Sequence, residues 1–449
     1  MTIIPDLIRP LVQPMVDAFT RPTFKRFLTL MAAAILNTGR RTVSNLLRTA
    51  GGLATGHPSS YHSVFSRRRW SLWTLARVLT GTILRRFATD EPIPVAGDDT
   101  VDEHRGETVY GKGRHRDPVR STHHYTAWRW GHKWIVLAVL VQFPFASRPW
   151  ALPVLITLYR TPEWDRAHGR RHKTPCDCMR QLLAVLIHWF PGRRFVFTGD
   201  GGYGTHALAR FAHRHRRHLT LVSRFYADAQ LYEPAPEIIG QRPAHRPRTK
   251  GEKLPTPQAV VAASGRTALE VSWYGGGRRE IEVVSEAGHW LKSGKGLVPV
   301  RWAFVHDKTG THRDDYFFST DVAMVPQSIV ETVTGRWSME TTFQEMRPFL
   351  GLETTRGRTE PTVLRMVPCL FGLYSGVALV YARLRARGRA TARVGWAGKV
   401  ETTFSDAITT VRRWLWSDWV FAHQGQGQAF SKLPRALRDT LFTALAPAA

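Results

Sequence analysis

A handful of carboxylates stand out by what surrounds them. Gly97-Asp98-Asp99-Thr100 follows the apolar run Ile93–Ala96, and Asp200 follows Arg194-Phe195-Val196-Phe197-Thr198-Gly199 and precedes Gly201-Gly202. Both places read as the point where a buried strand gives way to a polar loop. In α/β sheets such ends hold side chains rigidly at a crevice where ligands collect. Two carboxylates held side by side repel each other at neutral pH unless a cation sits between them, and hard oxygen donors favour Mg2+ or Mn2+. A third carboxylate, Glu340, lies in the late segment Arg336–Arg347. Helical periodicity places Arg336, Glu340 and Arg347 within roughly 40° of one another on one core-facing stripe, bordered by Phe343. Asp99 beside Asp98, and Glu345 on another face of that helix, are held in reserve. An Asp after a strand is common, and an Arg–Glu pair one turn apart is equally a surface pair of a few tenths of a kcal/mol. No one of these residues decides the chemistry by itself.

The elements that must position them follow from the apolar pattern. Residues 1–90 read as helical. An apolar segment through Phe24, Phe27, Leu28, Leu30 and Ile35 breaks at Asn37-Thr38-Gly39, and Thr42 is a good N-cap for the next helix. Two short helices around a turn, flanked by Arg40, Arg41 and Arg48, have the pattern of a DNA-reading helix-turn-helix and equally of a helical hairpin. From residue 91 to 224 the order is strand, strand, strand, helix, strand, helix, strand, with the apolar runs Trp134–Val141 and Trp150–Tyr159 and a helix opening at Pro175. That order matches a ribonuclease-H-like α/β core, in which the first and fourth strands lie side by side and bring Asp98 and Asp200 together. Residues 225–322 comprise a linker rich in Pro, Arg and Lys (Gln241–Thr256) and a β-rich insertion with strands near Leu269–Tyr274, Arg279–Val284, Val298–Val305 and Tyr316–Ser319. Residues 323–395 return to the core with a helix expected from Pro326 to Arg347, ended by Pro348. Residues 396–449 form a helical tail.

Composition narrows the partners. Sixty-three Lys and Arg against 35 acids leave a formal charge of +28. Such an excess is held near a polyanion or tolerated as self-repulsion; nucleic acid rewards each neutralising cation through counterion release. The clusters Arg114-His115-Arg116, Arg170-Arg171-His172-Lys173 and Arg214-His215-Arg216-Arg217 suit a phosphate backbone as a group. Three cysteines, two in Cys176-Asp177-Cys178, form no disulfide framework and no paired zinc set. Gly275-Gly276-Gly277 lacks the Lys-Ser/Thr of a phosphate loop. No signal-peptide pattern opens the sequence, and the runs Phe27–Leu36 and Trp134–Val141 are too short to span a bilayer. The expectation is a protein of the cytoplasm, associated with the nucleoid, and not of a membrane.

These residues carry a resemblance. The sequence resembles bacterial insertion-sequence transposases of the DDE type that bear a Tyr-Arg-Glu-Lys signature. Arg336 and Glu340 match the signature; Arg347 stands in place of its Lys and Val333 in place of its Tyr. Phe-Thr-Gly-Asp200-Gly-Gly-Tyr-Gly resembles the family's second-Asp motif, and Gly97-Asp98-Asp99-Thr100 its first, with the Asp-x-Thr spacing favouring Asp98. The resemblance implies a DNA transposase in which Asp98, Asp200 and Glu340 hold two Mg2+ (or Mn2+) ions. It implies cleavage at the element's ends, strand transfer into target DNA, and a homodimer that holds both double-stranded ends. It further implies that Arg336 and Arg347 grip DNA near the cut, and that a Trp of the β insertion, Trp302 or Trp290, stacks on a flipped base. A non-catalytic DNA-binding derivative, or another ribonuclease-H-like nuclease, stays open as the alternative.

Overall fold

The structure is a computed structural model describing residues 4–117, 120–236, 248–393, 399 and 401–447. Of the expected linker Gln241–Thr256, residues 241–247 lie outside the described residues. The strands are β1 (Ile93–Glu103), β2 (Gly113–Arg116), β3 (Trp128–Val141), β4 (Trp150–Tyr159), β5 (Phe195–Gly199) and β6 (Leu219–Arg224). They continue with β7 (Leu231–Tyr232), β8 (Thr267–Ser272), β9 (Arg278–Lys292), β10 (Gly296–Asp307) and β11 (Asp315–Ser319). With many helices between them, the chain is mixed α/β. It forms two compact units: unit 1 is Met1–Thr89, Asp99–Lys173 and Glu340–Ala449, and unit 2 is Asp90–Asp98 and Thr174–Met339.

Unit 1 joins helices to a long hairpin. Helix Arg21–Leu36 ends at Asn37, and the Thr42 hydroxyl accepts from the Asn45 N–H at 3.3 Å to start helix Val43–Ala50, as the sequence suggests. Ser71 caps helix Leu72–Phe87 in the same way. In the hairpin, β3 pairs with β4 from Lys133↔Tyr159 to Val141↔Trp150. Residues 134–141 of β3 are all buried, so both faces of this strand are covered. Helix Glu360–Ala386 packs on β4, with the Ser375 hydroxyl donating to the Pro153 carbonyl at 2.8 Å. By length and composition that helix could cross a bilayer, yet 72% of its apolar window is buried, and here it is a core helix.

Unit 2 is built on a sheet of order β1–β5–β6–β11–β10–β9, with β7 and β8 on separate stretches of β9. β1, β5 and β6 run parallel; the rest pair antiparallel. Because β11 joins β6, the strands read as a β-rich insertion extend the sheet that carries Asp98 and Asp200. Val196, Val222, Val271, Ile281 and Val305 pack against Ile329, Val330 and Val333 of helix Pro326–Gly335. Helix Pro175–Trp189 opens with a capping box between Thr174 and Asp177, and its Met179, Leu182, Leu183 and Leu186 are buried as expected.

Two expectations need correction. β1 does not stop at Asp98 but runs on to Glu103; what stops is its pairing with β5, whose last register is Gly97↔Gly199. The single helix expected from Pro326 to Arg347 is two, Pro326–Gly335 and Ser338–Leu350. At the joint the N–H groups of Arg336, Trp337 and Met339 bond carbonyls three residues back, at Val333, Thr334 and Arg336. Gly335, a weak helix former, sits at this tight turn. Pro348 lies inside the second helix rather than ending it. It is close to the C-terminus, and Gly351, at φ 60°, supplies the left-handed stop.

Candidate functional site

Asp98 and Asp200 are brought together within unit 2. Gly97 and Gly199 are register partners on adjacent parallel strands, so the two aspartates are the next residues on strands about 4.8 Å apart. All of β5 is buried, which fixes the place where Asp200 emerges, exposed, into its loop. The loop is braced from its backbone. The Ser223 hydroxyl donates to the carbonyls of Gly199 and Asp200, both at 3.0 Å, and the Asp200 carboxylate accepts from the Gly202 N–H at 3.0 Å. Gly204 is required here, since a Cβ would sit 2.5 Å from the Arg224 carbonyl oxygen. Asp98 is held by Arg336, whose Nη1 donates to Oδ2 at 2.6 Å, with both side chains mostly buried. Arg336 therefore meets the first carboxylate rather than standing as a bare phosphate grip.

The other carboxylates belong to unit 1. Asp99 is paired with Lys133 Nζ at 2.9 Å. Glu340 stands exposed in the first turn of helix Ser338–Leu350, and since Arg336 precedes that helix, the stripe expected for Arg336, Glu340 and Arg347 is broken. Arg347 is half-buried and donates to Thr100 Oγ1 at 3.0 Å and to Glu353 at 3.2 Å. Glu345 accepts from the Tyr374 hydroxyl at 2.6 Å and lies 4.0 Å from Arg148. Burial pushes its carboxyl above the usual range, against the pull of Tyr374 and Arg148. A carboxyl so enclosed anchors a helix; it does not reach out for a cation.

Three residues expected at the DNA are enclosed by protein. Trp302 is fully buried, 0% exposed, in the core of unit 2, and offers no face to a base. Trp290 is likewise enclosed, against His206, Phe225 and Phe318. Arg41 is 2% exposed; it donates to the carbonyls of Gly39 and, at 2.6 Å, Phe349. Burial and the neighbouring Arg412 lower its pKa to about 10, so the guanidinium stays charged but faces protein. Arg40 is exposed.

The family described as DDE superfamily endonuclease matches residues 14–280, more than half of the chain. The chain belongs to this family. The matched stretch of this DDE endonuclease contains Asp98 and Asp200 and stops before Glu340. Among solved structures, a piggyBac transposase synaptic complex with hairpin DNA is similar at 11% sequence identity and a TM-score of 0.41, covering 99% of this chain and 82% of that chain. No curated protein matches the chain.

Sequence reasoning missed two features of this DDE endonuclease, both in unit 1. On the β2–β3 ribbon Arg114 and Arg116 face Trp130 and Trp128 across the strands. All four are exposed, the tryptophans by 55% and 50%. Arg114 lies 4.6 Å from the Trp128 ring centroid and Lys112 Nζ 5.5 Å from that of Trp130. Alternation in Trp128-Arg129-Trp130 was the signal available, and it was masked by the apolar run that follows. The second feature is a buried group of Asp102, His104 and His132. Asp102 and His104 are two residues apart, but His132 lies on another strand, so no spacing announced the group.

Proposed function

We propose that this DDE endonuclease is a transposase that cleaves DNA at the ends of an insertion sequence and transfers the strands into target DNA. The observation that carries the reading is the register Gly97↔Gly199, which sets Asp98 and Asp200 side by side at the parallel edge of β1 and β5. The β1–β5–β6 order supports a ribonuclease-H-like core, and the family match supports the reaction class. Glu340, exposed and within the signature, is the proposed third ligand. The donors are all carboxylate oxygens, with Asp98 backed by a buried cation and Asp200 braced by backbone, which fits Mg2+ or Mn2+. Two such ions would supply charge neutralisation at the phosphate and a lowered pKa for the attacking water or hydroxyl.

The chain's own residues do the rest. Asp98, within β1, and Asp200, directly after buried β5, hold their carboxylates at fixed backbone positions, so little reorganisation is needed during reaction. Hydrolysis of an end and attack by the freed 3′-hydroxyl on target DNA are the same in-line displacement with different nucleophiles. The β2–β3 ribbon supplies a cationic and aromatic surface of the kind that takes phosphates and unpaired bases together, the part first assigned to Trp302. Arg40 and the clusters around residues 170–173 and 214–217 add phosphate contacts. The working form is a homodimer on double-stranded DNA in the nucleoid.

The test is cleavage of a donor plasmid carrying the native flanking DNA, in Mg2+ or Mn2+, by wild type, Asp200→Ala and Glu340→Ala. Cutting at both ends by wild type alone supports the assignment. Binding without cutting in all three proteins would replace it with a non-catalytic DNA-binding role. Unchanged cutting by Glu340→Ala would move the third ligand elsewhere.

A further inference from the structure

A cluster in unit 1 has the makings of an ion site that the transposase reading neither uses nor requires. Asp102 lies on β1, His104 just after it, and His132 on β3; they are 0%, 4% and 1% exposed. One ligand atom from each lies within 4.8 Å of the others. His104 Nε2 is 3.3 Å from Asp102 Oδ2, and His132 Nδ1 is 3.6 Å from Asp102 Oδ1. Donor atoms around a tetrahedral zinc ion, with bonds of roughly 2.0–2.1 Å, are themselves about 3.3 Å apart. Both distances are near that figure, each imidazole facing a different oxygen of the one carboxylate, and the first is also within hydrogen-bond reach.

The tautomer of His132 sharpens the point. Its Nε2 lies 2.9 Å from the Tyr110 carbonyl oxygen, so Nε2 carries the proton and donates it. Nδ1 then presents a lone pair, and this buried atom has no hydrogen-bond partner. Asp102 Oδ1 accepts the His132 backbone N–H at 3.1 Å, while the ring lone pair, 3.6 Å from the same oxygen, is left with no donor to meet it and a negative neighbour. A proton on Nδ1 would be too far from Oδ1 to bond well. A metal-bound histidine whose other ring nitrogen donates to a backbone carbonyl is, by contrast, a common arrangement. The backbone is shaped to allow the approach: a Cβ on Gly131 would lie 1.8 Å from the Asp102 carbonyl oxygen. The space beside the cluster, lined by Thr355, Thr362, Val363 and Met366 among others, is too narrow for a water molecule.

We propose that Asp102, through both carboxylate oxygens, together with His104 Nε2 and His132 Nδ1, supplies the four donor atoms of one structural Zn2+ ion. Two imidazoles and one carboxylate suit zinc, whereas an all-oxygen set suits Mg2+. Closure by protein on every side marks a site that holds structure. The ion ties the end of β1 to β3 and so closes the intervening chain, which carries Lys112, Arg114, Arg116, Trp128 and Trp130. A clamp there fixes the base of the exposed ribbon.

The test uses the full chain. Purified wild type, Asp200→Ala, His132→Ala and Asp102→Asn are given Zn2+, dialysed against metal-free buffer, and their zinc measured by mass spectrometry. Wild type and Asp200→Ala are expected to retain about one ion per chain, and the other two less than about a tenth of that. Addition of EDTA should lower the Tm of wild type and leave that of His132→Ala unchanged. Should the cluster variants fail to fold, Co2+ bound to wild type reads the same site by its tetrahedral visible absorption, displaced by Zn2+. Wild type without zinc and without the Co2+ spectrum overturns the proposal. So does zinc that survives in His132→Ala and Asp102→Asn, or zinc lost through Asp200→Ala, which would place the ion at the carboxylate pair.

Discussion

Asp98 and Asp102 sit on the same strand, four residues apart, and their surroundings differ in almost every respect. The pair Asp98–Asp200 opens where two parallel strands part: Asp200 is exposed, the donors are oxygens, and the bracing comes from Ser223, Gly202 and Arg336. Asp102 is enclosed, its neighbours are imidazoles, and its backbone is pressed against Gly131. An open set of hard donors leaves room for a substrate phosphate, while a closed mixed set does not. One strand thus carries an acid at an open edge and an enclosed acid, the choice being made by what its two halves pair with.

The largest expected effect separates chemistry from stability. Asp200→Ala should reduce DNA cleavage at least about a thousandfold, because metal-held phosphates gain several kcal/mol, with a Tm within about 2 °C of wild type. A comparable loss of Tm would mean that Asp200 is part of the scaffold, and the contrast with Asp102 would collapse. The second test sets a closed tryptophan against an open one. Trp302→Ala should cost about 3–5 kcal/mol in denaturant unfolding, as expected for deleting a buried indole. Trp128→Ala should leave unfolding nearly unchanged and weaken binding to DNA with unpaired ends about tenfold, within the range of one base stack. Equal effects on DNA binding would restore Trp302 as a contact residue.

The smallest effect concerns Glu345, a buried acid with a hydroxyl partner instead of imidazoles. Burial raises its folded-state pKa above the unfolded value. Its contribution to stability is therefore full below the unfolded carboxylate range and is lost as pH rises through the folded value. Glu345→Gln keeps an acceptor for Tyr374 and should raise the Tm by about 1–2 °C near pH 7, with no gain near pH 4. A lower Tm near pH 7 would show that the ion pair with Arg148 outweighs desolvation.

How much of this was legible follows from how local each signal is. Thr42 announced its helix because a cap acts within three residues. The apolar runs of β3, β4 and β5 were equally plain, and the strand order they gave placed Asp98 beside Asp200. The break at Arg336-Trp337 was hidden because helical periodicity persists across a tight turn. The burial of Trp302 and Arg41 was hidden for another reason: a long side chain near a basic or β-rich segment looks the same whether it turns outward or inward. Asp102, His104 and His132 had no pattern to read, since only the pairing of β1 with β3 makes them neighbours.

Arg41 and Arg412 meet on one carbonyl. Both guanidiniums are buried, and both donate to the Phe349 carbonyl, at 2.6 and 3.1 Å, while Arg412 also reaches the Ile35 carbonyl at 2.7 Å. The N-terminal helices are thereby stitched to segments more than three hundred residues away in sequence. A head of this kind is not an interchangeable module. Grafting a relative's first ninety residues onto this body would strand Phe349 and Arg412 unless Arg41 and its turn came too. Outward positions such as Arg40 and Arg48 can change without touching that stitch.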